Sequence, residues 1–390
     1  MNQAENEYLA HRKSAIQRAR SVVVKVGTRV LTTPNGKLDR DRIEKLSAQL
    51  CRIADTGRQT VMVSSGAVGA GVGKLGLTTR PKVVSQLQAV AAIGQTDLIQ
   101  AYESSIAARG RHAAQVLLTA SDLRRRSAYL HVRNALSRIH EYGAIAIVNE
   151  NDSVAVRELT TTFGDNDRLA ARVAGLLTDT LLIILSDIDG LYDGPPNDPD
   201  SKRIELVPRI DDSILGLAKD KLSNVSKGGM TSKLEAAKIA ASHGHTAIIA
   251  PGHDDTVLDK IFACENVGTL FLPTEKTIKG RRRWIGGSAK VEGILHLDAG
   301  AAKAVWENGK SLLPVGVKSI KGTFKRGAVV ALHDPAGNEI ARGLCNYRST
   351  ELEKILGKPS DQIGELIGHC PYENVIHRDN LVLTRNGEFA

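Results

Sequence analysis

Two near-identical acidic-amide clusters, Asn149-Glu-Asn-Asp152 and Gly164-Asp-Asn-Asp167, crowd the end of an apolar run at residues 144–148. Taken singly, each reads as a turn former, because Asn and Asp side chains bond readily to nearby backbone. Other polar residues interrupt apolar runs in the same manner. Lys25 lies inside "SVVVKV" and is followed by Gly27-Thr28. Burying its charge is costly unless an anion meets it, so the choice is between an edge-strand lysine and an anion site. Ser64-Ser65-Gly66 ends "QTVMV" ahead of a small-residue stretch. Exposed amides at such a helix start can hold an anion, or serve only as a cap. Ser186-Asp187 turns out of "TLLIIL" into a Gly/Pro/Asp loop. In "SKGGMTSKLEAAKIA" a glycine pair and hydroxyls precede a helix, with Lys233 in its first turn. The helix dipole there favours an anion and not a cation. A polyphosphate between the two would account for the lysine, and a flexible turn is the alternative.

The elements that carry these residues follow one grammar. The runs 21–26, 59–63, 113–118, 144–148, 180–185 and 245–250 are short, β-branched and nearly continuous. Such runs suit strands buried on both faces of a parallel sheet. Between them lie helical patterns. In "DRDRIEKLSAQLCRIADTG", Ile43, Leu46, Leu50 and Ile53 recur at helical spacing and Gly57 provides a stop. The alternation predicts an α/β fold, a three-layer αβα sandwich with a mainly parallel sheet. Ligands in such sheets bind beyond the carboxyl ends of the strands, which places the loops that follow these strands on the active edge. Beyond the basic stretch 274–289 the pattern changes to short apolar segments broken by Gly and Pro, with helical runs near "AGAAKAVWENG" and "STELEKILG". This predicts a second, small, mostly-β barrel. The expected domains are 1–275 and 290–373.

Bulk properties narrow the classes. The chain has 390 residues, 42% hydrophobic and 24% charged, which matches an ordinary globular protein of two domains. No eighteen-residue apolar run is present, and the N-terminal segment has no apolar core, so neither a membrane span nor a signal peptide is expected. Cys51, Cys264, Cys345 and Cys370 are widely separated, which argues against a zinc site or disulfide framework and predicts a reducing cytoplasm. The net charge of +9 is spread over short clusters such as "LRRR" (123–126) and "KGRRRW" (279–284). That is compatible with solvated surface charge or with anion binding. "GVGKLG" (71–76) matches a dinucleotide fingerprint without the strand–turn–helix context it requires. "HRDN" (377–380) lacks the Asn and Asp-Phe-Gly partners of a protein-kinase catalytic loop.

Taken together, Lys25-Val-Gly-Thr28, Ser64-Ser-Gly-Ala67, both acidic-amide clusters, Ser186-Asp187 with Gly190-Leu-Tyr192, and Gly228-Gly-Met230 through Lys233 resemble the glutamate 5-kinases, of the amino-acid kinase fold. "KSLLPVGVKSIKGTFKRGAVVAL" with "IARGLCNY" resembles the PUA domain that many of them carry. The likeness runs in order over about residues 20–375. It departs at Ser64, where the family usually has Thr, and at Ser226-Lys227, where it usually has Gly-Thr; Lys227 adds a cation beside the phosphates.

The resemblance implies transfer of the ATP γ-phosphoryl group to the side-chain carboxylate of L-glutamate, the first step of proline biosynthesis. Lys25 and Lys233 would supply charge from opposite sides, and Asp167 would hold both ammonium groups. Asp152 and Asn166 would grip the amino acid, with Ser65 opposite and Asn149 and Asp165 supporting the loop. ATP would meet Lys25, Ser186, Asp187 and the run Lys227, Gly228, Gly229, Met230, Thr231, Ser232 and Lys233. Mg²⁺ would bridge the phosphates with no dedicated protein ligands. A homo-oligomer without membrane contact is implied; feedback by proline and RNA binding through the PUA-like domain stay open. Two other classes compete. A same-fold kinase for aspartate, acetylglutamate or carbamate would share the lysines and the glycine loop but lack the tail and the Asn-Glu-Asn-Asp sequence. An RNA-binding protein would use the tail, where Trp306 and Tyr347 form no interleaved aromatic platform.

Overall fold

Eight strands form one sheet: β1 (Ser21–Val26), β2 (Gln59–Ser64), β3 (Ala113–Leu118), β4 (Ile145–Glu150), β5 (Thr180–Ser186), β6 (Leu206–Val207), β7 (Thr246–Pro251) and β8 (Thr269–Phe271). Their order is β3-β4-β2-β1-β5-β7-β8-β6. The computed structural model describes residues 3–33, 36–119, 122–123, 126–154, 165–218, 229–273, 285, 291–370, 372–385 and 388–389. Every pair from β3 to β7 is parallel, and only β7 and β8 run antiparallel. The six apolar runs thus become the six long strands. β1, β4 and β5 are buried along their whole length, as strands covered on both faces must be. β3 departs from that expectation. It sits at the sheet edge with β4 as its one neighbour, and Leu117 is exposed.

The helices over this part of the chain are α1 (Gln3–Arg18), α2 (Thr28–Leu31), α3 (Arg40–Asp55), α4 (Ala67–Lys74), α5 (Val84–Ala107), α6 (Arg126–Glu141), α7 (Asp165–Ala174), α8 (Asp212–Gly216), α9 (Met230–Ser242) and α10 (Val257–Phe262). Asp39 caps α3 by accepting from the Arg42 amide at 2.9 Å, and Gly57 takes φ +80° just past its end. Successive strand residues face opposite ways. Val22, Val24 and Val26 enter a core with Ile43, Leu46, Leu50, Leu98 and Tyr102 from α3 and α5. Val23 and Lys25 therefore point to the other face, which is covered by α7 and α9, packed on each other and on β1, β5 and β7. The result is helix, sheet, helix.

The "GVGKLG" sequence has a packing role. α4 and α5 cross so closely that a Cβ on Gly71 would lie 1.9 Å from the Val90 carbonyl oxygen, and one on Gly94 1.9 Å from that of Ala67. Both clashes are with backbone, which cannot swing aside. Gly94→Ala is therefore expected to cost about 1–3 kcal/mol by overpacking. A chemical denaturation midpoint equal to wild type would refute that.

The chain divides into two compact units, Met1–Arg125 with His131–Thr277 and Arg126–Leu130 with Ile278–Ala390. The second holds β9 (Val291–Leu297), α11 (Ala299–Trp306), β10 (Val317–Lys321), β11 (Val329–His333), β12 (Glu339–Leu344), α12 (Ser349–Ile355), α13 (Ile363–Ile367), β13 (Leu381–Arg385) and β14 (Glu388–Phe389). Its six strands are ordered β10-β9-β11-β12-β13-β14, around a core that includes Leu295, Val330, Tyr347 and Leu352. The "HRDN" residues form a 3₁₀ turn, Arg378–Asn380, capped by the His377 side chain. Among the described residues, no helix is long and apolar enough to cross a membrane.

Candidate active site

Lys25 is in the middle of the sheet, flanked by Val63 of β2 and Ile184 of β5, so it is no edge lysine. The residue is only 7% exposed. Its ammonium lies 2.6 Å from Asp167 Oδ1, in an ion pair almost out of solvent. Asp167 belongs to the first turn of α7, where the helix dipole favours a carboxylate. Its other oxygen, Oδ2, accepts from Ser232 Oγ at 2.7 Å. Lys233 donates to the Gly229 carbonyl at 3.1 Å, so Ser232, and not Lys233, takes the second oxygen of Asp167. The two lysines still share the one carboxylate through space. Burial alone would raise the Asp167 carboxyl, but the charges of Lys25 and Lys233 and its hydrogen bonds hold it below the ordinary value of 3.8. Burial pushes Lys233 below the usual lysine value of 10.5; Asp167 offsets this in part and Lys25 adds to it. A two-lysine, one-carboxylate cluster is one cation in excess. That surplus suits it to receive an anion.

One residue before Asp167, Asn166 turns its amide nitrogen into a wall of oxygens: Ser65 Oγ at 2.8 Å, the Ser64 carbonyl at 3.2 Å and Asn149 Oδ1 at 3.2 Å. Its own Oδ1 is buried and has no partner among the described residues. Gly66, at φ +103°, makes the left-handed turn that leaves Ser65 at the strand end before α4 begins. Asn149 closes the last part of β4, which pairs with β2, so the first cluster and Ser65 belong to neighbouring strands. Asp152 follows two residues beyond β4 and is half-buried. Gly164 lies outside the described residues, and of Asp165 only the backbone is described.

At the end of β5, Ser186 Oγ donates to Asp187 Oδ1 at 3.1 Å, and Arg29 Nη1 pairs with Asp187 Oδ2 at 2.7 Å. Burial opposes ionisation of Asp187, while the Arg29 bond and the Lys233 charge hold it below 3.8. Gly229 precedes α9 and offers no side-chain cap, so the first-turn N–H groups led by Met230, Thr231 and Ser232 are available to a phosphate. Lys227 and Gly228 lie outside the described residues. Among the described residues, no three His, Cys, Asp or Glu side chains converge to hold a metal ion.

Reading the sequence alone missed Gln95, Tyr102, Arg29 and the part played by Ser232. Gln95 and Tyr102 are seven residues apart on one face of α5. They bond to Asn149 Nδ2 (2.7 Å) and Ser64 Oγ (3.1 Å). Their signal was faint: polar groups on the otherwise apolar buried face of a helix.

Residues 20–251 match the model of the amino acid kinase family, and residues 293–367 that of the PUA domain. The chain is similar to the glutamate 5-kinase of Rhodopirellula baltica, with 62% identity over 384 residues, 98% of this chain and 99% of that one. It is 47% identical over 368 residues to the glutamate 5-kinase of Caldanaerobacter subterraneus, covering 94% and 98%. With that of Pseudomonas putida it shares 43% identity over 372 residues, covering 95% and 100%.

Proposed function

This chain belongs to the glutamate 5-kinases of the amino acid kinase family, and from that premise we propose that it transfers the γ-phosphoryl group of ATP to the side-chain carboxylate of L-glutamate. The product is L-glutamyl 5-phosphate, which opens proline biosynthesis. The observation that carries the assignment of residues is the buried Lys25–Asp167–Ser232 cluster, with Lys233 beside it and the Asn166 amide one residue away.

In the reaction a carboxylate oxygen forms a bond to Pγ while the bond from Pγ to the β,γ-bridging oxygen breaks, and ADP departs with that oxygen. Glutamate's side chain has an ordinary pKa of about 4.3 and is ionised at neutral pH, so no proton must be removed and no general base is required. What the reaction needs is in-line placement and neutralisation of charge on the transferring group. Lys25 and Lys233 supply the charge. Asp167 and Ser232 keep Lys25 and the start of α9 in register, and the α9 amides receive the phosphates. Mg²⁺ would enter as part of the nucleotide substrate, MgATP, and neutralise charge on its phosphates. Asn166 Oδ1, an acceptor without a partner among the described residues, suits the α-ammonium of glutamate, with Ser65 and Asp152 completing the grip. The four cysteines are free, which accords with a reducing compartment such as the cytoplasm.

A coupled ADP-release assay across glutamate, aspartate and acetylglutamate tests the acceptor. Turnover with aspartate or acetylglutamate in preference to glutamate would reassign the chain within its family. The site assignment has its own test. Asp152→Ala and Asn166→Ala are expected to raise KM for glutamate about tenfold or more while KM for ATP hardly moves, because they hold the acceptor in ground and transition states alike. Equal rises in both constants would make the loop structural.

A further inference from the structure

The amide of Asn166 can serve the substrate only if its oxygen, and not its nitrogen, is the end left over. Carboxamide ends are nearly equal in shape and are told apart by their partners. Asn166 Nδ2 is drawn inward partly by Asn149 Oδ1, at 3.2 Å. Asn149 is itself a carboxamide, and a half-turn would present a donor to a donor. A backbone N–H, which can only donate, opposes that half-turn, and a second contact holds the other end of the Asn149 amide. The Glu150 backbone amide donates to Asn149 Oδ1 at 2.9 Å, and Asn149 Nδ2 donates to Gln95 Oε1 at 2.7 Å. Gln95 is buried in α5, on the far side of Asn149 from the amide it influences, and its Nε2 has no partner among the described residues. A buried side chain that satisfies one atom and leaves the other unsatisfied tolerates a cost, which calls for a compensating role.

We propose that Gln95 is a positioning residue for the acceptor amino acid: by accepting from Asn149 Nδ2 it holds the Asn149 amide in place with Oδ1 against Asn166 Nδ2, and so steadies Asn166, whose sense the Ser64 carbonyl fixes, with Oδ1 left for the substrate ammonium group. This rests on the reading of Asn166 as a glutamate contact. Gln95 has no part in the Lys25–Asp167 cluster, so its effect falls on acceptor binding and not on phosphoryl transfer. Without its acceptor, Asn149 Nδ2 would be buried without that bond, and the Asn149 amide would be held at one end only.

The test uses the full chain with Gln95→Met, Gln95→Glu and Asn166→Ala, reading KM for each substrate, kcat and the thermal melt. Gln95→Met keeps the volume and removes the acceptor. It is expected to raise KM for glutamate about five- to tenfold, the loss of roughly one hydrogen bond, with KM for ATP and kcat within about twofold. Gln95→Glu keeps an accepting oxygen in either protonation state and recovers most of the affinity. Gln95→Leu takes the place of Gln95→Met if the latter does not melt cooperatively. An unchanged KM for glutamate in Gln95→Met, beside a raised one in Asn166→Ala, overturns the relay and leaves the site reading standing. If neither variant moves KM for glutamate, the site reading itself falls. Equal rises for both substrates, or the same loss in Gln95→Glu as in Gln95→Met, would make Gln95 a packing residue.

Discussion

Replacing Lys25 or Lys233 with methionine is expected to lower kcat about 10²–10³-fold, far beyond any change in KM. Each ammonium is held in a nearly dry site, Lys25 by Asp167 at 2.6 Å and Lys233 by the Gly229 carbonyl at 3.1 Å. In the proposed reaction, charge that develops on the transferring phosphoryl group and its leaving oxygen would meet these cations without reorganising water. A fixed donor or charge used in this way is worth roughly 3–4 kcal/mol of barrier. Methionine keeps the unbranched stem and removes only the charge, so packing is largely preserved. The check is ADP release at saturating glutamate and MgATP, with a melt to show that the protein is folded. Turnover within a few-fold of wild type would take that lysine out of the chemistry.

Asp167→Asn is expected to damage the resting protein as well as the reaction. It leaves two buried ammonium groups without their carboxylate, and breaking a buried pair from one side costs about 3–5 kcal/mol. The phosphates of MgATP can replace the missing negative charge, so nucleotide should raise the melting temperature more in Asp167→Asn than in wild type. An equal nucleotide shift in both proteins would contradict the charge argument. The pH dependence has a definite sign. The folded carboxyl titrates below the ordinary 3.8. Native Asp167 therefore contributes stability above that value, and the contribution is lost as pH falls through the lower, folded value. Asp167→Asn has no such acid limb, and acid unfolding followed by circular dichroism would show the difference.

What could be read in advance depended on whether a residue's meaning was local. A lysine within "SVVVKV" is conspicuous in any context, because valines flank it on both sides, three before and one after. The six long strands were equally legible, since continuous β-branched runs have few other uses. β6 was not, being two residues long and defined by its neighbour β8. The exposure of β3 follows from its edge position, a property of strand order and not of its own residues. Ser232 acquires its role by meeting a carboxylate 65 positions away, and Gln95 by meeting Asn149 across 54. Such pairings have no local signature.

Asn166 and Asp167 are joined by a single peptide bond in the first turn of the ten-residue α7. One reaches Ser65 and the other Lys25. Any side chain at 166 that shifts this turn also re-aims the carboxylate beside it, so acceptor preference and turnover are tied together on the α7 side. Ser65 comes from a different element, one residue past the end of β2. A laboratory search for a kinase of altered acceptor range would gain most by randomising Ser65 and its surroundings first, because that side of the pocket does not share a turn with Asp167.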